Sequence, residues 1–326
     1  MTIRRILRIE NMNIVSDIYR SITSNKLFFS GVAIVGILLS HLIGVDQEHP
    51  VWAIFYPGFV GVDIFLFYSG YGLCRSLENN TLKTFYMRRF KRIYPMLVLF
   101  TLLSYLITSF LHHSHFTVYD VFCNLTTLNF WGLGGFKFEW YLSFIIYLYL
   151  LFPLLYRIVR KCFFTSVVIS FCMLFAFLYF HREGWFYQCA FSRIPIFLLG
   201  ILCYQRNTPE TYRQGLLVFL PVLLVMGAFF GLGFVEKFEL VYMSAPFILF
   251  LLAFIFSSAI RKQNRVYSIF SFLGKYSLEI YLSNLLILSM IPHIQLPIPI
   301  VLSYAGLHVL FVPGIVSVNR FIQKKL

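Results

Sequence analysis

Charge is scarce in this chain. Aspartate, glutamate, lysine and arginine make up 12% of its residues, against roughly 25% in an ordinary soluble domain. A water-exposed surface cannot be built from so little. Acidic side chains are the rarer kind, 13 against 27 basic ones. Several signatures of chemistry are missing as well. The sequence holds no Walker-type glycine loop and no GxSxG or HExxH pattern, which removes most of the support for ATP hydrolysis and zinc proteolysis. Its six cysteines have no paired metal spacing. They fall mostly within apolar runs and read as small buried hydrophobes, with Cys123 and Cys189 nearest the outer face. The run HHSH at 112–115 has no carboxylate or cysteine at ligand spacing, so it reads as a titratable loop and no metal site is expected.

What the chain has is apolar surface. Hydrophobic residues reach 59%, with 39 Phe, 21 Tyr and a mean hydropathy of +0.78. Lipid is the solvent that suits such a surface, and each crossing of a hydrocarbon core roughly 30 Å thick uses about 20 residues. Apolar runs bounded by charge predict spans near 27–45, 58–75, 93–111, 139–157, 163–181, 187–204, 215–234, 240–260, 270–291 and 297–317. The apolar stretch 117–134 is the ambiguous one. With ten spans starting inside, 23 of the 27 lysines and arginines fall on the cytoplasmic side; an eleventh crossing there would turn the later basic loops outward, against the positive-inside rule.

The expected fold class is therefore all-α: a polytopic integral membrane protein of about ten transmembrane helices with both termini cytoplasmic. Residues 1–26 form a cytoplasmic arm, 27–318 one transmembrane domain, and 319–326 a cytoplasmic tail, with 112–138 an extracytoplasmic loop that folds back over the helices. The arm carries Arg4, Arg5 and Arg8 but no following apolar h-region or cleavage site, so it is not read as a signal peptide. Basic residues scattered through short loops also speak against nucleic acid as a partner and for membrane lipids.

Ionisable side chains inside spans cost roughly 2.5–3.5 kcal/mol each on insertion scales. His41 and Asp63 both fall about 7 Å below the outer boundary by helix rise, where Pro57 and Gly58 break the backbone entering the second span. An imidazole beside a carboxylate suits a general base; the same pair also suits a structural link between two helices. Arg193 lies in the sixth span just before Pro195, facing a polar cavity or snorkelling to the interface. Glu279 follows Lys275 by four residues, a spacing that lets the two neutralise each other on one helix face. The segment FYMRRFKRIYP packs Arg88, Arg89, Lys91 and Arg92 into five positions. Such a cluster serves topology and lipid headgroups, or the phosphates of a nucleotide-like ligand.

Six segments in order, FSGVAIVGILLSH, VGVDIFLFYSGYGL, RRFKRIYP, EWYLSFIIYLYLLFPLL, RIPIFLLG and GKYSLEIYLSN, resemble acyltransferase family 3, the membrane O-acyltransferases of surface carbohydrates. The resemblance implies transfer of an acyl group, usually acetyl, from acyl-coenzyme A (acyl-CoA) to a hydroxyl of a glycan or lipid-linked sugar, in a bacterial cytoplasmic membrane. Acyl-CoA would be a co-substrate, with no tightly bound cofactor. The resemblance makes His41 and Asp63 the catalytic pair and assigns the donor to Arg89 and Arg92, beside Arg88. Trp140 and Tyr141, preceded by Glu139, and Arg193 become the acceptor-site candidates. Two positions depart from the family: Ser30 stands where an arginine is usual, with Lys26 nearby, and Asn284 stands in place of a frequent histidine. The chain resembles the short form without an appended esterase-like domain. Two other readings are open: a flippase for a lipid-linked sugar, with His41, Asp63 and Arg193 lining its path, and a family member that has lost catalysis at Ser30.

Overall fold

The computed structural model describes residues 16–45, 50–113, 115–134, 140–180, 185–231, 244–291 and 300–325. All regular secondary structure among them is helical. The chain enters with α1 (16–24), which turns 80° into α2 (Lys26–Val45). A 3-10 segment (Pro50–Phe59) leads into α3 (Val60–Glu78) and α4 (Leu82–His112). The expected loop carries α5 (Val118–Leu125), whose eight residues span about 12 Å by helix rise, too short to cross. Then come α6 (Trp140–Phe180), α7 (Trp185–Phe191), α8 (Ile194–Arg206), α9 (Pro209–Gly231) and α10 (Ala245–Ile255). The chain ends with α11 (Ser257–Lys262), α12 (Arg265–Lys275), α13 (Ser277–Met290) and α14 (Ile300–Lys325).

Three stretches are long and apolar enough to cross a membrane, Leu82–Leu111, Trp140–Cys162 and Val301–Lys325, and the bent pair α1–α2 makes a fourth. This is consistent with a membrane protein. Several of the expected spans are interrupted helices. The run 187–204 breaks at Ser192 and Arg193, 240–260 at Phe256, and 270–291 at Tyr276. Between the runs at 139–157 and 163–181, α6 has a non-helical residue, Cys162, beside the basic group Arg157, Arg160 and Lys161.

The chain divides into two compact units. The first contains Met1–Ile37, Pro57–Arg75 and Leu154–Lys275. Aromatic packing dominates it: Phe28 stacks on Tyr267 and meets Phe256 and Phe270 edge-on. Buried tyrosine hydroxyls bond to carbonyls, Tyr19 to Cys203, Tyr68 to Ile22 and Tyr212 to Pro246, as apolar surroundings require. Within this unit α3 and α8 cross in direct backbone contact. A Cβ on Gly70 would strike the Phe197 carbonyl, and one on Gly200 the Phe67 carbonyl. Small residues at helix crossings permit this approach. Replacement Gly200→Ala is expected to force the helices apart and to cost about 1–3 kcal/mol. The check is thermal unfolding in detergent, and an unchanged midpoint would contradict the crossing.

The second unit contains Leu38–Tyr56, Ser76–Pro153 and Tyr276–Leu326. One of its cores gathers Leu42, Val45, Ile287, Ile291 and Tyr304 from α2, α13 and α14. Glu279 accepts from Asn319 Nδ2 at 2.6 Å across α13 and α14. Tyr276 (φ −108°, ψ 20°) interrupts the helix between Lys275 and Glu279. The loop after α4 folds back as expected: Asn124 Nδ2 donates to the Tyr105 hydroxyl at 2.7 Å, and the Tyr147 hydroxyl donates to the Thr127 carbonyl at 3.0 Å.

Candidate active site

In the first unit, Pro57 sits within the 3-10 segment and the regular helix α3 starts at Val60. Asp63 therefore falls in the first turn, where the unsatisfied amides favour a carboxylate. It is fully buried. Arg193 occupies the break between α7 and α8, because Pro195 lacks an N–H and fits the first turn of a new helix better than the middle of an old one. Its Nε stands 3.3 and 3.4 Å from the two Asp63 carboxylate oxygens, and Nη1 donates to the Cys189 carbonyl at 2.7 Å. With 2% of its surface exposed, Arg193 is held by protein groups and does not snorkel. This ion pair was not foreseen: the sequence reading took Asp63 as the partner of His41.

Ser30, at the position of the family arginine, is buried in α2. One helical turn earlier, Lys26 donates from Nζ to the Tyr68 carbonyl at 3.3 Å, so a cation does stand on that helix face.

In the second unit, His41 on α2 is half-buried, and its Nδ1 lies 2.7 Å from Nδ2 of the fully buried Asn284 on α13. The Tyr304 hydroxyl, on α14, donates to Asn284 Oδ1 and is also 3.3 Å from the Leu38 carbonyl. A second imidazole, His308, meets the Tyr304 ring edge-on at 4.5 Å and bonds through Nδ1 to the Tyr304 carbonyl at 2.9 Å. Its Nε2 is buried with no hydrogen-bond partner. One turn before Asn284 on α13, Tyr281 packs edge-on against Tyr141 at 5.6 Å, and Tyr141 against Trp140 at 6.0 Å. Tyr141 thus adjoins α13, whose Asn284 meets His41, and Trp140 packs on Tyr141. The third candidate of that segment, Glu139, lies outside the described residues.

The sequence reading noted Asn284 only as a departure and passed over Tyr304 and His308. His308 carried a usable signal, an ionisable residue in the last apolar run. Tyr304, four residues before it, shares its face.

The basic cluster divides on α4. Arg88 and Arg92 are exposed, whereas Arg89 lines a cavity of about 260 Å³ between α4 and α6. Tyr86, Phe90, Tyr94 and Tyr149 supply half of its lining residues. Phe90 and Tyr94 stack at 4.5 Å, and the Tyr86 hydroxyl ties the two helices by donating to the Leu150 carbonyl at 3.0 Å. Arg89 gives one bond, Nη2 to Ser76 Oγ at 3.0 Å. Its Nε is buried with no acceptor, an arrangement that leaves a costly donor ready for an anion.

Residues 30–320 match the model of a family described as acyltransferase domain. A protein of Acidianus two-tailed virus named "Putative acetyltransferase ORF330" is 34% identical over 110 residues, which is 32% of this chain and 33% of that protein. The chain thus spans about a third of the length of that relative. No solved structure matches it.

Proposed function

Because the chain belongs to acyltransferase family 3 and is an acyltransferase, we propose that it moves an acetyl group from acetyl-CoA to a hydroxyl of a cell-surface or lipid-linked glycan, in a bacterial cytoplasmic membrane that it crosses about ten times. The observation that carries the donor side is Arg89, a guanidinium with a buried, unbonded Nε at a tyrosine-rich cavity. A coenzyme A phosphate completes the bonds of that guanidinium, and the adenine ring stacks on the tyrosines. Exposed Arg88 and Arg92 add attraction for the remaining phosphates.

His41 is the base in this reading. It takes the acceptor hydroxyl proton as the oxygen attacks the thioester carbonyl; the carbon–sulfur bond breaks, and the thiolate leaves with that proton as coenzyme A. Trp140 and Tyr141 offer ring faces to the sugar. Asp63 and Arg193 form a buried ion pair in the first unit, with Arg193 a further acceptor contact. The donor cluster on the cytoplasmic face and the base near the outer one lie roughly 20 Å apart by helix rise. The acetyl group must therefore travel along the protein from a donor held at the cytoplasmic face.

The test is incubation of membranes containing the chain with radiolabelled acetyl-CoA, reading label in extracted glycan and released thiol. Both should rise together. Arg89→Gln is expected to raise the KM for acetyl-CoA about tenfold, the worth of one charge-assisted contact, with kcat little changed and smaller effects from Arg88→Gln or Arg92→Gln. Movement of a sugar lipid across vesicles with no acetyl-CoA consumed would make the protein a transporter.

A further inference from the structure

The reading of His41 as the base meets an obstacle in the second unit, and the obstacle identifies a new functional residue. Asn284 presents its Nδ2 to His41 Nδ1. An amide nitrogen donates, so Nδ1 accepts, and the neutral ring carries its proton on Nε2. In that tautomer Nε2 cannot take a proton from an acceptor hydroxyl.

The surroundings of Asn284 supply the remedy. Turned by 180°, its amide sets Oδ1 against His41 Nδ1 and Nδ2 against the Tyr304 hydroxyl. That hydroxyl then accepts from Nδ2 and passes its own hydrogen to the Leu38 carbonyl, already 3.3 Å away. A carbonyl has two lone pairs and a hydroxyl both donates and accepts, so in both amide positions His41 Nδ1, Asn284 and the Tyr304 hydroxyl keep a partner. Asn284 has no exposed surface and Tyr304 5%, so water is a poor substitute for either partner.

We propose that Asn284, held by Tyr304, is the positioning residue for His41. Its amide selects which ring nitrogen carries the proton, and the turned position makes His41 a base. On turning, a proton is taken up at Nδ1 and one is released from Nε2. The acceptor hydroxyl then gives its proton to Nε2, its oxygen bonds to the acyl carbon, the carbon–sulfur bond breaks, and the thiolate recovers the proton from Nε2. Throughout, Nδ1–H donates to Asn284 Oδ1 and steadies the imidazolium. Among the described residues, the titratable neighbours of the pair include Tyr304 itself and His308, which bonds to the Tyr304 carbonyl.

The experiment compares Asn284→Leu, Asn284→Asp and Tyr304→Phe in the full chain in lipid nanodiscs. It reads kcat and the KM for acetyl-CoA by thiol release with glycan extract as acceptor, and thermal stability alongside. Leucine removes both amide positions but suits the apolar neighbours Ile287 and Leu42. Its kcat is expected to fall about a hundredfold with KM unchanged and the fold intact. Aspartate buries a charge and lowers stability, yet its carboxylate accepts from Nδ1–H; its kcat should stay within about tenfold of the parent. Tyr304→Phe, which leaves Nδ2 without an acceptor in the turned position, should fall between them.

A merely structural Asn284 predicts the opposite order, leucine more active than aspartate, and that result overturns the proposal. So does a leucine variant with kcat within twofold of the parent. Should Asn284→Leu fail to fold, the aspartate and phenylalanine variants decide: a folded aspartate variant as inactive as His41→Ala, or full activity in Tyr304→Phe, overturns it. The inference rests on His41 being the base, and His41→Ala measured beside these separates the two. Activity in that variant removes the base, whereas its loss together with an active Asn284→Leu removes only the role of Asn284.

Discussion

Replacement of His41 by alanine is expected to abolish acetyl transfer while the protein still inserts and accumulates. General base catalysis contributes about 10²–10⁴ in rate, so residual activity should be below about 1% of the parent. Folding should survive. His41 is half-buried and near the end of α2, and the core beside it is apolar, built on Leu42, Val45, Ile287 and Ile291. The main structural cost is the exposure of Asn284 Nδ2 to a small void, about 1–3 kcal/mol for an unpaired buried group. His41→Gln controls for that cost, because a glutamine side chain offers Asn284 an acceptor yet cannot act as a base near neutrality. Both variants should be equally inactive, with the glutamine variant closer to the parent in unfolding temperature. Transfer within twofold of the parent in either variant removes His41 from the chemistry.

Buried ionisable residues were legible because hydrocarbon makes charge conspicuous. His41, Asp63 and Arg193 drew attention for their insertion cost, and the structure holds each against polar groups. What the sequence left hidden were the partners. Asp63 and Arg193 are separated by 130 positions, and nothing in local spacing joins them. The depth of each was counted along continuous helices, whereas Arg193 sits at a break between two. Pro195 is compatible with a kink in one helix or the start of another, so the pattern alone did not distinguish them. Asn284 was read only as a departure from the family, and Tyr304 was passed over, for a different reason: neutral polar side chains carry little insertion penalty, so their importance shows only once α2, α13 and α14 are seen together. The interruptions at Phe256 and Tyr276 have no proline to mark them. By contrast the start of α3 and the fold-back of the loop after α4 followed from Pro57 and from an apolar stretch that the charge distribution would not allow to cross.

Breaking the Asp63–Arg193 pair from one side is expected to be the most destabilising change considered. Asp63→Ala leaves a guanidinium with 2% exposure facing the Cys189 carbonyl and no counter-charge. Arg193→Ala leaves a carboxylate with none of its surface exposed. Loss of one member of a buried pair costs about 3–5 kcal/mol, a large part of the stability of an ordinary domain. Either variant should accumulate poorly and unfold early in detergent. The double variant Asp63→Leu with Arg193→Met should behave differently, since well-packed apolar residues replace a buried ion pair at no net cost or with a gain of about 1–4 kcal/mol. It is expected to recover the parent's unfolding temperature. An apolar pair would therefore serve the α3–α8 crossing equally well, and a charged pair in its place points to chemistry that needs charge. The double variant should be folded and inactive. Full transfer by a folded double variant reduces the pair to scaffold, and single variants as stable as the parent would contradict the burial of both groups.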